Sequence, residues 1–191
     1  GQLDPPPVWF QRPVYFKCNR LNVIGPGDDI VYPTATQELD YELEMAFVIG
    51  RKGRNIAAAV ARDFIFGYTI YNDISARDIQ INEMRGQLGP AKGKDFDTGN
   101  ILGPCIVTAD EIPDPYDLSM RARLNGEELS RGRSVDLYHS FERMIEHVSC
   151  DETIWPGEVF GAGTIGGGSG HEHDRLMQLG DTIELEIEMI G

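Results

Sequence analysis

A chain of 191 residues, 41% of them hydrophobic, is long enough to bury one sizeable core and suits a single compact domain. Its net charge of -14 repels phosphate backbones and anionic lipid, so nucleic acid and membrane surfaces are poor partners. No apolar run approaches bilayer-spanning length, and no secretory signal opens the chain. Cys18, Cys105 and Cys150 are odd in number and widely spaced, which predicts reduced, mostly buried thiols in a cytoplasmic protein.

Residues 1–13 are proline-rich and aperiodic and read as an arm or the remnant of a lid, in a chain whose first residue, Gly1, suggests a processed or recombinant piece. Val14-Tyr15-Phe16-Lys17 is a short strand candidate, and Gly25-Pro26-Gly27-Asp28-Asp29 a turn. The next stretch, Asp40 to Gly50, organises the rest. On a strand, Glu42 and Glu44 project from one side, and that side continues with Ala46 and Val48. The opposite side carries Tyr41, Leu43, Met45, Phe47 and Ile49, so both faces read as buried, with two neighbouring carboxylates at one end.

The same Glu-Leu-Glu triplet recurs near the C-terminus and serves as a control. In Thr182–Met189 the acidic face runs Glu184, Glu186, Glu188 without interruption against Ile183, Leu185, Ile187 and Met189, the pattern of a half-solvated strand. Glu42 and Glu44 differ because their face turns apolar. Two carboxylates there repel each other, and burying them is costly unless a positive charge compensates. A hard divalent cation is one compensator, since Mg²⁺ and Ca²⁺ take oxygen ligands. Plain solvation of both carboxylates is the alternative.

Further along, Ala57 to Phe64 reads as a helix and Phe66–Tyr71 as a β-branched and aromatic strand running into Asn72-Asp73. Ser75-Ala76-Arg77-Asp78 reads as a helix start with Ser75 as N-cap and Asp78 in the capping-box position. Gly86 to Thr98 reads as a long polar loop closed by Ile101-Leu102-Gly103-Pro104. Strands are predicted at 105–108 and 118–124, a hairpin turn at Asn125-Gly126, and a helix over 138–149 with Phe141, Met144, Ile145 and Val148 at helical spacing. Residues 157–170 are glycine-dense and by themselves suggest a tight hairpin. The sum is a mixed, mainly β single domain with a few short helices.

Asp73 ends a strand just before a helix on which Arg77 and Gln80, three apart, share a face. With Glu42 and Glu44 it would set three carboxylates on one side of a cation and leave the other positions to water and substrate. The alternative pairs Arg77 with Asp73 or Asp78 in a structural salt bridge.

Several runs together carry a resemblance. They are Asp40-Tyr41-Glu42-Leu43-Glu44, Asn72-Asp73-Ile74-Ser75-Ala76-Arg77-Asp78-Ile79-Gln80, Lys94-Asp95-Phe96-Asp97-Thr98, Leu102-Gly103-Pro104, Asn125-Gly126-Glu127 and Gly163-Thr164-Ile165-Gly166. In this order they resemble the fumarylacetoacetate hydrolase family over about residues 14–191. The resemblance implies a β-sandwich roll forming the catalytic domain, a homodimer, and a bound Mg²⁺, Mn²⁺ or Ca²⁺. It further implies a small anionic 2-oxo or β-diketo acid as substrate. By the same resemblance Glu42, Glu44 and Asp73 match metal ligands, and Arg77 and Gln80 orient substrate. Lys94 stands beside the substrate carbonyl, with Lys92 as the neighbouring alternative, and Thr164 holds the substrate carboxylate.

The implied reaction is hydrolysis of a C–C bond in acylpyruvate-like or fumarylacetoacetate-like acids. Oxaloacetate-type decarboxylation, isomerisation on the same scaffold, or a catalytically silent metal- and anion-binding module are the alternatives. Hydrolysis needs a base to activate water, and members carry a His-Glu pair on an N-terminal lid, whereas residues 1–13 contain neither residue. His171-Glu172-His173 is a local substitute in principle; His139 and His147 read as surface or packing residues, and Glu127 and Glu128 as solvated.

Overall fold

The computed structural model describes residues 5–191. Its strands are β1 (Val23–Ile24), β2 (Leu39–Asp40), β3 (Glu42–Ile49), β4 (Gly53–Arg54), β5 (Ile65–Asp73), β6 (Ser75–Ala76), β7 (Asn100–Thr108), β8 (Ser119–Leu124), β9 (Glu127–Arg133), β10 (Thr153–Ile154), β11 (Val159–Ser169) and β12 (Ile183–Ile187). The helices are α1 (Pro7–Gln11), α2 (Arg77–Arg85) and α3 (Phe141–Ser149). A five-stranded sheet runs β1-β7-β5-β3-β11, antiparallel except for the β1–β7 pair, and a three-stranded antiparallel sheet runs β12-β8-β9. Two small ladders, β2–β6 and β4–β10, complete the pairing. None of the helices described is long and apolar enough to cross a membrane.

The sequence pattern of β3 explains the layering. All eight of its residues are buried, as expected for a strand apolar on both faces. Leu43, Met45, Phe47 and Ile49 share one core cluster with Met120, Ala122 and Leu124 of β8, Ile187 of β12, and Phe141 and Ile145 of α3. The Tyr41 hydroxyl meets Ser130 of β9 at 2.9 Å, tying the two sheets at the edge of that core. The control strand behaves differently. In β12 only Ile187 is buried, Glu184 is exposed, and Glu186 is half-buried in an ion pair with Arg123 at 2.8 Å.

Helix α3 forms where the spacing predicts, with Ser140 as a true N-cap accepting the Arg143 N–H at 3.3 Å. Phe141 is fully enclosed, stacked on Tyr116 at 5.0 Å between ring centres and 5.2 Å from Phe47. The turn at Asn125-Gly126 has both residues at positive φ, 54° and 80°, as a two-residue hairpin of this hand requires.

Several sequence expectations need correction. Val14–Lys17 is irregular rather than a strand, and the alanine-rich stretch forms a 3₁₀ helix, Ala58–Phe64, instead of an α-helix. Ile101–Pro104 closes no loop; it lies inside β7 together with 105–108. Ser75 caps nothing, because Ser75 and Ala76 pair with β2 and the cap position of α2 falls on Ala76 without a side-chain bond. The glycine-dense segment is a long bulged strand, β11, alongside β3. The three cysteines are free, as expected, but all are exposed residues instead of buried ones. Within the expected arm, residues 1–4 lie outside the described part, and α1 rests its Trp9 on Tyr138, with the Trp9 carbonyl 2.7 Å from His139 Nε2.

Phe141 packs α3 against Phe47 and Tyr68 of the five-stranded sheet and against Tyr116, so Phe141→Ala should lower the unfolding free energy by about 3–5 kcal/mol in urea titrations. A loss below about 1 kcal/mol would show that the aromatic cluster does not anchor the helix.

Candidate active site

The site begins with strand register. Leu43 of β3 lies opposite Asn72 of β5 and Glu44 opposite Tyr71, so Asp73, at the end of β5, comes level with Glu42 on the same face. Asn72 locks this register by accepting the Glu42 N–H on its side-chain oxygen at 3.1 Å. One carboxylate oxygen from each of Glu42, Glu44 and Asp73 lies within 4.8 Å of the others, and all three residues are buried.

β11 closes one flank. Gly161 must be glycine, since a Cβ there would stand 2.7 Å from the Tyr71 ring and 2.8 Å from Glu44 Oε2. Two residues on, the Gly163 N–H donates to Glu44 Oε2 at 3.0 Å, and Thr164 pairs opposite Glu44 in the ladder.

Lys94 closes the other flank. Its loop is pinned to α2 by Glu83, whose carboxylate accepts the N–H groups of Ala91, Lys92 and Gly93 at 2.9, 2.8 and 2.9 Å. Gly93 passes so close to Gln80 that a Cβ would sit 2.7 Å from its backbone. This delivers the Lys94 ammonium, 2% exposed, to Glu42 Oε2 at 2.8 Å, Asp73 Oδ2 at 2.8 Å and Ser75 Oγ at 2.6 Å. Lys92 points elsewhere, toward the Asp95 carbonyl at 3.3 Å, which settles which of the two lysines enters the cluster. Phe16 covers Lys94, its ring centre 5.9 Å from Nζ, while Asn19 N–H binds Asp95 at 2.8 Å.

Arg77 reaches in from the first turn of α2. Its Nη1 lies 2.7 Å from Glu42 Oε1 and 3.0 Å from Gln80 Oε1, so the predicted shared face of Arg77 and Gln80 is real. Its other anion is Asp40, at 2.8 Å from Nε and 2.7 Å from Nη2. The alternative partners are therefore corrected: Arg77 pairs with neither Asp73 nor Asp78, and Asp78 instead accepts the Gln37 N–H at 3.0 Å and the Thr36 hydroxyl.

The electrostatics follow from this crowding. Burial alone would raise the Glu42 carboxyl, but Lys94 and Arg77 together hold it down to about 2. Glu44 is pushed well above the usual carboxylate range, first by burial and then by Glu42 and Asp73. Asp73 rises to about 6, again through burial, with Lys94 pulling it down and Glu42 pushing it up. Burial disfavours the charged Lys94, yet Glu42 and Asp73 raise it above its ordinary value and keep it protonated. Four carboxylates, of Asp40, Glu42, Glu44 and Asp73, thus face two cations, Arg77 and Lys94. With all four carboxylates ionised, as a bound cation would favour, the cluster would carry two negative charges that its own side chains do not neutralise. Asp73 Oδ1 is buried without a donor among the described residues. An all-oxygen donor set, an orphaned oxygen and carboxylates that outnumber the cations four to two fit a divalent cation.

The local substitute for a general base does not form. Glu172 spends its oxygens on the Gly167 N–H, the Ser169 N–H and the Ser169 hydroxyl, at 2.9, 3.1 and 2.9 Å, while His173 Nε2 meets the Gly167 carbonyl at 2.8 Å. His171 contributes its backbone N–H to Asp40 at 3.1 Å. His139 and His147 are packing residues, the latter edge-on to Tyr15 at 6.0 Å. Sequence reasoning passed over two participants. Asp40 stands two residues before Glu42 on the same face, and Ser75 two residues after Asp73; period-two spacing was the available signal for both.

Comparison with known proteins gives a consistent answer. The family described as "Fumarylacetoacetate (FAA) hydrolase C-terminal" matches residues 2–191. The mitochondrial oxaloacetate tautomerase of Xenopus laevis is 38% identical over 182 residues, 95% of this chain and 56% of that protein. The chain thus spans little more than half the length of the curated relatives it matches. Among solved structures, a 5-carboxymethyl-2-hydroxymuconate delta-isomerase from Mycobacterium smegmatis superposes with a TM-score of 0.83 at 36% identity, covering 100% of this chain and 69% of that one. A maleylpyruvate hydrolase from Sphingobium sp. SYK-6 gives 0.80 at 29% identity, covering 92% and 62%. The chain belongs to the fumarylacetoacetate hydrolase family.

Proposed function

We propose that this chain carries the active site of a divalent-metal enzyme that moves protons on small 2-oxo acids, by tautomerisation or isomerisation next to a carbonyl. The observation that carries the reading is the buried acidic cluster: Glu42, Glu44 and Asp73 each bring a carboxylate oxygen within 4.8 Å of the others. These three residues would hold Mg²⁺ or Mn²⁺, with Ca²⁺ as the larger alternative. A bound ion of this kind supplies Lewis-acid polarisation of a substrate carbonyl.

The protein's own groups do the rest. Lys94, held protonated, supplies fixed positive charge beside the place where negative charge develops on the substrate oxygen. Arg77 supplies a second fixed cation, and Gln80, whose Oε1 is occupied by Arg77, is left with amide N–H donors. Thr164, paired with Glu44 in the ladder, would offer its hydroxyl to the substrate carboxylate. Tautomerisation needs no attacking water, which agrees with Glu172 being engaged in its own turn. C–C hydrolysis of acylpyruvates remains the second reading, supported by the structural likeness to a maleylpyruvate hydrolase.

Two measurements test this. With Mg²⁺ or Mn²⁺, the protein should ketonise enol-oxaloacetate in a metal-dependent assay, and Lys94→Met should cut turnover at least ~100-fold. Acylpyruvate cleavage in place of ketonisation would select the second reading, and Mn²⁺ binding without either turnover would leave a silent binding module. The second concerns stability. Because the folded state raises the Glu44 carboxyl, the unfolded chain ionises it more readily, and the metal-free fold loses stability as pH rises above the ordinary carboxylate range. Glu44→Gln should therefore raise the thermal midpoint of the metal-free protein at pH 7 while weakening Mn²⁺ binding in calorimetry. A lowered midpoint together with unchanged Mn²⁺ affinity would contradict the assignment.

A further inference from the structure

We infer that Asp40 is a positioning residue, which sets the orientation of Arg77 and through it the substrate-facing side of the site; this rests on the function proposed above. Asp40 is fully enclosed, yet every donor that reaches it comes to a single oxygen. Arg77 Nε and Nη2 clasp Oδ2 at 2.8 and 2.7 Å, and the His171 N–H meets the same atom at 3.1 Å. Arg77 Nη1 then spans to Glu42 and Gln80. With Glu42 as its only anion, a guanidinium is free to rotate about that one contact. The second anchor removes the rotation and fixes the plane of the fork.

The backbone around Asp40 is built to hold it still. In the β2–β6 ladder Asp40 pairs with Ser75, and Leu39 with Ala76. Asp40 therefore stands opposite the hydroxyl that takes the third Lys94 proton, so one two-residue ladder aligns an anchor for each cation. The Arg77 N–H donates to the Glu38 carbonyl at 2.8 Å, and the Ala76 N–H to the Gly93 carbonyl at 2.9 Å, which ties α2 and the Lys94 loop to the same ladder. On the far side, a Cβ at Gly170 would stand 2.6 Å from Asp40 Oδ1, so the absence of a side chain there makes room for the carboxylate. The His171 bond also docks the end of β11, the strand that carries Thr164, on this residue.

The test uses calorimetric binding of oxalate, a planar two-carboxyl probe of a 2-oxo acid site, with saturating Mg²⁺, together with thermal midpoints. Asp40→Asn keeps the shape and removes the charge; Asp40→Ser is the substitute should the amide fail to fold. Asp40→Asn and Arg77→Lys should each weaken oxalate binding by about 10–100-fold. The double variant should bind within about twofold of Arg77→Lys alone, because both changes remove the same orientation. A purely structural ion pair lowers the midpoint but leaves oxalate affinity unchanged in the folded protein, and that result overturns the inference. Losses that multiply in the double variant also overturn it. If the unsubstituted protein binds neither Mg²⁺ nor oxalate in the same calorimetry, the proposed function itself is wrong and the inference goes with it.

Discussion

Excess negative charge on one face of a buried strand is the constraint that the rest of this structure serves. Glu42 and Glu44 leave β3 toward an enclosed space, Asp73 joins them from β5, and Asp40 extends the row by one pleat. Removing such groups from water costs several kcal/mol each unless cations and donors compensate. The compensation here is distributed over segments far apart in sequence. Lys94 arrives on a loop fastened by three backbone amides, Arg77 on the first turn of a helix, and the Gly163 amide on a bulged strand. Each delivery depends on a detail that looks incidental in isolation, such as a glycine where backbone passes within van der Waals reach of a ring or a carboxylate.

The arrangement also favours a fixed positive charge at Lys94 over a neutral amine. Its three N–H groups meet two carboxylates and a hydroxyl, and the carboxylates keep it protonated despite near-complete burial. A neutral lysine would leave Glu42 and Asp73 facing each other across the same space, so deprotonation there is opposed by both neighbours. The same two carboxylates are members of the proposed ion-holding set. Lys94 and a cation would therefore share two carboxylate groups, so the charge on the lysine and the charge at the proposed ion site are balanced by the same residues.

How far all this was legible in the sequence depends on whether the signal was local. Alternation along residues 40–50 was enough to place Glu42 and Glu44 on one face, and the contrast with residues 182–189 distinguished a buried acidic pair from a solvated row. The helix over Phe141–Ser149 was equally legible because its cap and its apolar spacing agree. What failed were features decided by distant partners. Ser75 has the local look of a cap, and becomes a lysine acceptor only because β2 pairs with β6. Glycine density in 157–170 suggests a tight turn, whereas several of these glycines serve a long strand lying close to Tyr71 and Glu44. Asp40 sat inside a quoted motif without a role, since its partner lies 37 residues away on another element. Strand ends alone suggest that Asp73 meets Glu42 and Glu44, whereas Lys94, on a long polar loop, joins them only through the family pattern.

The convergence of three acids on one ion is the claim beneath the whole account, and a crystal grown with Mn²⁺ examines it directly. Anomalous scattering should show a single strong peak with one oxygen each from Glu42, Glu44 and Asp73 at about 2.0–2.4 Å, the range of divalent ion–oxygen bonds. A crystal soaked in millimolar Mn²⁺ with no peak among these carboxylates, or with its peak at some other cluster of acids, would contradict it.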